Sequence, residues 1–288
     1  MLIAERSEDV QQPVDGPLCV LAASLEDPQA VAAAALLALE LPRHPSAPRR
    51  PSAAVLGEQI DLALFVLGPD QRVQGLQLFA RPAGLLVVGP AEAVDQIRAP
   101  LGLEHEDAMS ALVAVTLAVA RRGEQALDQL DDECRVLQEG TAGYTSSPER
   151  RTMGRMRAHL FHLEQIQAAQ AALLAPDEEL AQSLGAPHRR LLRRAATVFD
   201  ANRALVARLY AMLGDVLAEQ DTIVSERLTL VATIFLPLTL ATGFFGMNFG
   251  WLTERIGGTW AFLGLGVVGP GLLTLLTLLL VRRLTRSS

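Results

Sequence analysis

Residues 228–253 read LTLVATIFLPLTLATGFFGMNFGWLT, about 26 positions in a row without a charged side chain. A helix needs roughly 20 apolar residues to cross the hydrocarbon core of a bilayer, so this stretch is long enough to span one. Residues 256–281, IGGTWAFLGLGVVGPGLLTLLTLLLV, form a second charge-free run of the same length, and only Glu254 and Arg255 separate the two. The pair reads as a helical hairpin with a very short outer loop. Arg227 precedes the first run, and Arg282, Arg283 and Arg286 follow the second. Basic flanks stay on the cytoplasmic side, so both termini are expected there, with Glu254 outside. Trp251 and Trp260 bracket the loop at the depth where amphipathic rings anchor. The expected limits are 228–250 for the first span, 251–259 for the loop, 260–281 for the second span and 282–288 for a basic tail.

Working back toward the N-terminus, no linker precedes the first run. Between Pro187 and Pro237 there is no proline, and Leu191, Ala195, Val198, Asn202, Leu205, Leu209, Met212, Val216 and Ile223 recur at steps of three, four or seven. That spacing predicts one helix from about His188 to Phe245, roughly 87 Å long at 1.5 Å per residue, with 187–227 as a stalk. Such a seam either packs on helices of its own chain or joins copies of the chain. Its continuation into an apolar span favours the second reading. Residues 104–186 predict a helical hairpin. A helix over about 106–137 carries the stripe Leu112, Val115, Val119, Leu127 and Leu130, and GTAGYTSSP (140–148) is a loop. Ser147 then caps a second helix with Pro148 at its first position, and Ala175-Pro176-Asp177 stops it.

Residues 1–103 read as a mixed α/β domain. An apolar run at 18–23 is followed by a helix over 25–41 that Pro42 ends. Strands are expected at 60–67, 73–80 and 85–88, separated by Gly68-Pro69-Asp70 and Arg81-Pro82-Ala83-Gly84, which are turn formers; their closeness predicts antiparallel pairing. Val94 to Ala99 adds a helical turn. The fold class is thus an α+β head of αβα type, a long helical stalk and two C-terminal transmembrane helices. The first ten residues hold Glu5, Arg6, Glu8 and Asp9 and no apolar run, so no secretory leader is read there and the head is expected in the cytosol.

Composition removes several function classes. The 288 residues carry a net charge of −7, whereas a nucleic-acid surface must neutralise phosphates. Cys19 and Cys134 stand far apart with no CxxC, which excludes a disulfide framework and a cysteine zinc cluster. No glycine-rich phosphate loop occurs, and no Ser/His/Asp or Cys/His grouping is visible, so an enzyme is not expected. His159 and His162 lie three apart on one expected helix face, a spacing that suits either a soft divalent ion or two ordinary surface histidines. Asp128, Asp131 and Asp132, with the acids at 177–179, are either solvated faces or a cation site.

The segment TLVATIFLPLTLATGFFGMNF (229–249), with Gly246-Met247-Asn248 closing the first span and a two-span hairpin ending in arginines, resembles the signature of the CorA/ZntB family of divalent-cation transporters. The resemblance implies a funnel-shaped homopentamer in a bacterial inner membrane, surrounded by lipid, whose stalk and first-span helices line a central pore. Gly246, Met247 and Asn248 match the filter motif; five Asn248 amides would present a ring of oxygens to a hydrated ion. The pore face implied is Thr222, Ser225, Leu228 or Thr229, Ala232, Leu236, Thr239, Gly243 and Gly246, with Leu228 and Leu236 as an apolar constriction. Family analogy also makes the acidic runs regulatory cation sites between subunits. Thr222 and Ser225 stand where magnesium members tend to have Asn and Met, and Arg255 offsets Glu254. Mg²⁺, Zn²⁺, Co²⁺ and Ni²⁺ therefore all remain candidates as the transported ion. A membrane-anchored scaffold or metal sensor with a non-conducting pore is the alternative.

Overall fold

The computed structural model describes residues 2–4, 17–42, 47–68, 70–101, 105–140, 147–246 and 258–285. Met247, Asn248, Trp251, Glu254, Arg255 and Arg286 lie outside them. The chain forms two compact units, Met1–Asp215 and Val216–Ser288.

In the first unit, six strands form one sheet in the order β1-β2-β6-β5-β4-β3. They are β1 (Leu2–Ala4), β2 (Leu18–Ala22), β3 (Ser52–Leu56), β4 (Gln59–Leu67), β5 (Val73–Arg81) and β6 (Gly84–Val88). β1, β2 and β6 run parallel, and the remaining pairs are antiparallel. The three expected strands are β4, β5 and β6, antiparallel as read. β1 and β3 were not foreseen, and β2, within the apolar run 18–23, was not read as a strand. β3 alternates exposed and half-buried residues at the sheet edge, so it carries little apolar signal.

Side-chain alternation builds the layers. Leu18, Val20, Ala22, Phe79, Leu86 and Val88 meet helix α1 (Pro28–Leu36) on one face. Cys19, Leu21, Leu64, Leu76, Leu78, Leu85 and Val87 meet helices α2 (Ala91–Leu101) and α3 (Ala108–Gly140) on the other. A sheet covered on both faces has strands that are apolar throughout, as in β2 and β6. α1 is shorter than the span 25–41: Asp27 caps its start by accepting from the Gln29 amide, and past Leu37 the backbone turns left-handed at Ala38 (φ 50). The strand pairing also fixes one glycine. Gly84 lies opposite Leu18, and a β-carbon there would come 2.5 Å from the Leu18 carbonyl oxygen.

Helices α3 and α4 (Ser147–Leu173) and a short α5 (Glu179–Ser183) lead into α6, which runs unbroken from Ala186 to Gly246 with Pro237 inside it. The five stripe residues of α3 are all buried. On α6 the buried row is Leu192, Ala195, Phe199, Asn202, Val206, Leu209, Leu213, Val216 and Gln220. The expected seam is corrected by one position at four places, where Leu191, Val198, Leu205 and Met212 give way to their C-terminal neighbours, and at its end, where Gln220 is buried and Ile223 only half-buried. Within the first unit this row packs on α3 and α4 of the same chain, with Leu127, Leu130, Leu160, Leu163, Val206, Leu209 and Leu213 in one cluster. That is the self-packed alternative, so this seam is not a free surface for other copies.

The second unit holds the rest of α6 and a helical segment over 259–285. The latter comprises one turn at Thr259–Ala261, a π-helical stretch Phe262–Val268 and α7 (Gly269–Thr285). Among the described residues α6 is the one helix long and apolar enough, by length and composition, to cross a membrane; 6% of its most apolar 18-residue window, of mean hydropathy 1.6, is buried.

Candidate functional site: the polar row on α6

The C-terminal part of α6 is apolar nearly all round, and Leu228, Leu230, Phe235, Leu236 and Leu240 are exposed in the single chain. A helix apolar on every side needs a covering of lipid or other helices. One strip departs from this pattern. Thr222, Ser225, Thr229, Ala232, Leu236, Thr239, Gly243 and Gly246 follow each other at steps of three or four along the helix, which keeps them within one face. Their hydroxyls are not idle. Thr222 donates to the Ala218 carbonyl at 3.1 Å, Thr229 to Ser225 at 2.9 Å, Thr233 to Thr229 at 2.8 Å and Thr239 to Phe235 at 2.7 Å. Back-bonding of this kind makes a polar side chain tolerable where water is scarce. Thr233, four residues after Thr229, borders this row and is half-buried.

Gly243 has open space where a β-carbon would be, so none of the described residues requires glycine there. Pro237 withholds the amide that would bond the Thr233 carbonyl one turn back, loosening the helix next to Leu236. Gly246 is the last described residue of α6. The remaining filter residues, Met247 and Asn248, and the outer-loop Glu254 fall outside the described region.

The candidate regulatory residues are dispersed. Asp132 pairs with Arg135 at 2.7 Å on α3, Asp131 approaches Arg208 of α6 at 3.8 Å, and Asp128 is exposed. On α4, His162 is exposed and His159 half-buried. Burial pushes the His159 imidazole below its ordinary value, against a hydrogen bond with the Gln71 backbone, and nearby His162 lowers it further. Among the described residues no group of three or more His, Cys, Asp or Glu is placed to hold a metal ion. Both thiols are buried and held protonated, Cys19 pushed up to about 12 and Cys134 to about 11, chiefly by burial.

The structure also assembles a grouping the sequence hid. Ser110 Oγ lies 3.0 Å from His188 Nε2, and Asp107 Oδ1 lies 3.6 Å from the same nitrogen. A hydrolytic triad needs the carboxylate on the opposite ring nitrogen from the hydroxyl, so this trio is not one. Its visible work is structural: Asp107 accepts the Ser110 amide at 2.6 Å, capping α3, and His188 joins that cap to the first turn of α6. Residues 78 positions apart leave no sequence signal for such a contact.

The profile of the CorA-like Mg²⁺ transporter proteins matches residues 70–283. Among solved structures, the chain is similar to full-length CmaX (TM-score 0.55, 18% identity, 88% of this chain and 81% of that one). It is also similar to the complete CorA magnesium transporter of Methanocaldococcus jannaschii (TM-score 0.63, 13% identity, 82% and 80%). The soluble domain of the same archaeal CorA gives a TM-score of 0.52 at 10% identity over 60% of this chain and 73% of that domain. At these identities the likeness is one of fold: a CorA-type head carried on a long helix. No curated protein matches the chain in sequence.

Proposed function

This chain belongs to the family of CorA-like Mg²⁺ transporter proteins, and on that premise we propose that it moves divalent cations across a membrane through a pore lined by α6. The observation that carries the proposal is the strip of hydroxyl, alanine and glycine positions running along an otherwise apolar, uncovered helix to Gly246. Several copies placing that strip inward would form a narrow, oxygen-lined path. Gly243, with no described residue close to where its β-carbon would be, would let the copies approach closely.

In this reading five copies form the pore in an inner membrane. The second charge-free run, which holds most of α7, makes an outer ring in lipid, and both termini are cytoplasmic. Gly246, Met247 and Asn248 end the pore, and Asn248 contributes the amide ring that holds a hydrated ion. Glu254 attracts cations at the outer mouth. Leu228 and Leu236 supply apolar constrictions that close by dewetting. Asp128, Asp131, Asp132, His159 and His162 regulate only if a second copy completes a site with them. The cargo is a divalent ion of the Mg²⁺ or Zn²⁺ type.

The alternative, a scaffold or metal sensor with a non-conducting pore, loses support because the seam a scaffold would use is already covered by α3 and α4 over the first unit. Uptake by liposomes carrying the purified chain tests the proposal, with Mg²⁺, Zn²⁺, Co²⁺ and Ni²⁺ in parallel and a pH dye inside. Flux of any of these ions that disappears in Asn248→Ala supports it, and absence of flux for all four refutes it.

A further inference from the structure

Arg189, Arg190 and Arg193, on the first two turns of α6, line a cavity of about 300 Å³ together with Leu174, Pro176 and Ala181. That volume is at the lower end of ordinary ligand pockets, roughly 300–1,000 Å³. The chain has 32 acidic against 25 basic residues, so paired arginines are the expectation. Further along the same helix, Arg203 pairs with Asp200 and Arg208 approaches Asp131. Among the described residues Arg189, Arg190, Arg193 and the adjacent Arg194 have no carboxylate partner. Asp177, Glu178 and Glu179 precede them in the chain and form no ion pair with them.

Like charges one turn apart on a helix, as Arg189 and Arg193 are, repel each other and destabilise it by a few tenths of a kcal/mol per pair. Several unpaired guanidinium groups around one concavity are an arrangement that an anion relieves. The guanidinium fork matches phosphate oxygens two at a time. The backbone adds to the positive potential, because the start of a helix carries the positive end of its dipole.

We propose that this cavity binds a phosphate group borne by a soluble phosphate compound, since along the unbroken helix α6 it lies roughly 57 Å from residue 228, where the apolar run begins. The proposal is independent of the transport reading, since none of the cavity residues belongs to the strip on α6.

The test is calorimetry on the full-length chain in neutral detergent and metal-free, low-salt buffer, with inorganic pyrophosphate as probe. Wild type binds saturably and more weakly as salt rises. Arg190→Ser combined with Arg193→Ser lowers affinity about tenfold or more, given the strength of charge-assisted bonds, while Arg203→Ser binds as wild type does. These side chains are exposed, and unchanged melting of the double variant verifies that it folds. Absence of saturable binding at millimolar pyrophosphate, or equal affinity in the double variant, overturns the proposal.

Discussion

Replacing Gln170 tests whether α4 holds the sheet by a specific hydrogen bond or only by apolar contact. The β3–β4 pairing ends at Ser52 opposite Ala63. In that ladder alternate amides of β4 point toward β3, and the one at Phe65 comes after the partner strand has stopped. Gln170, fully buried on α4, takes the missing strand's place: its Oε1 accepts the Phe65 amide at 2.7 Å. Gln170→Met keeps the length and apolar stem and removes the acceptor. The variant leaves a partly buried amide without a partner, which costs about 1–3 kcal/mol. Part of that cost is offset because Gln170 Nε2 itself makes no hydrogen bond, and the variant buries no such atom. A destabilisation of about 1–2 kcal/mol lowers the melting midpoint of a unit this size by roughly 2–8 °C. Thermal melting of the full chain in detergent reads the global loss, and hydrogen exchange at the Phe65 amide reads the local one. An unchanged midpoint with unchanged exchange at Phe65 would refute the assignment and leave apolar packing as the sole tie.

In the membrane part, Gly246→Ala and Asn248→Ala each abolish ion uptake into liposomes while native mass spectrometry still finds the assembled oligomer; wild-type flux in either variant rejects the filter assignment. Gly84→Ala forces a β-carbon toward the Leu18 carbonyl oxygen and is expected to destabilise the head by about 1–3 kcal/mol through overpacking, read by urea titration. The Asp107 carboxyl is pushed up by burial, yet the hydrogen bonds from Ser110 and the charges of His188 and His105 outweigh this and hold it below its ordinary value. A depressed carboxylate stabilises the fold above its unfolded pKa of about 3.9 and loses that contribution as pH falls through the lower folded value. Stability measured below about pH 4 therefore falls less steeply in Asp107→Asn than in wild type. An identical acid limb in the two proteins contradicts the assignment.

Local chemistry made much of the fold legible, and its limits are equally local. β4, β5 and β6 are bounded by glycine- and proline-containing turns, with β4 and β6 mostly apolar and β5 mixing apolar with polar positions, so their positions and pairing followed from sequence. β3, with the sequence SAAVL, has small residues and half-exposed alternation, which leaves too weak a pattern to separate it from a loop. On α6 the register slipped because apolar residues stand side by side at the decisive places: Leu191 and Leu192, Val198 and Phe199, Leu205 and Val206, Met212 and Leu213. A periodicity argument fixes the spacing of such a seam but not its phase; only the position of α3 and α4 decides which member of each pair turns inward. The row from Thr222 to Gly246 was named from the family resemblance, and its facing a pore belongs to the proposed function. The pairing of Gln170 with Phe65 and of His188 with Ser110 depends on three-dimensional proximity and left no trace in sequence.

The back-bonded threonines of α6 have one consequence for sign selectivity. Each hydroxyl of Thr222, Thr229, Thr233 and Thr239 has its single proton committed to a carbonyl one turn back. What it turns outward is lone pairs alone. Water touching such a surface must present its hydrogens, and a hydrated cation, whose outer face is made of those hydrogens, finds acceptors at every turn. A hydrated anion presents water oxygens and finds no donor among these four hydroxyls to meet them. A lumen built from this face would therefore prefer positive ions without any carboxylate in it, by the direction in which its hydroxyls point.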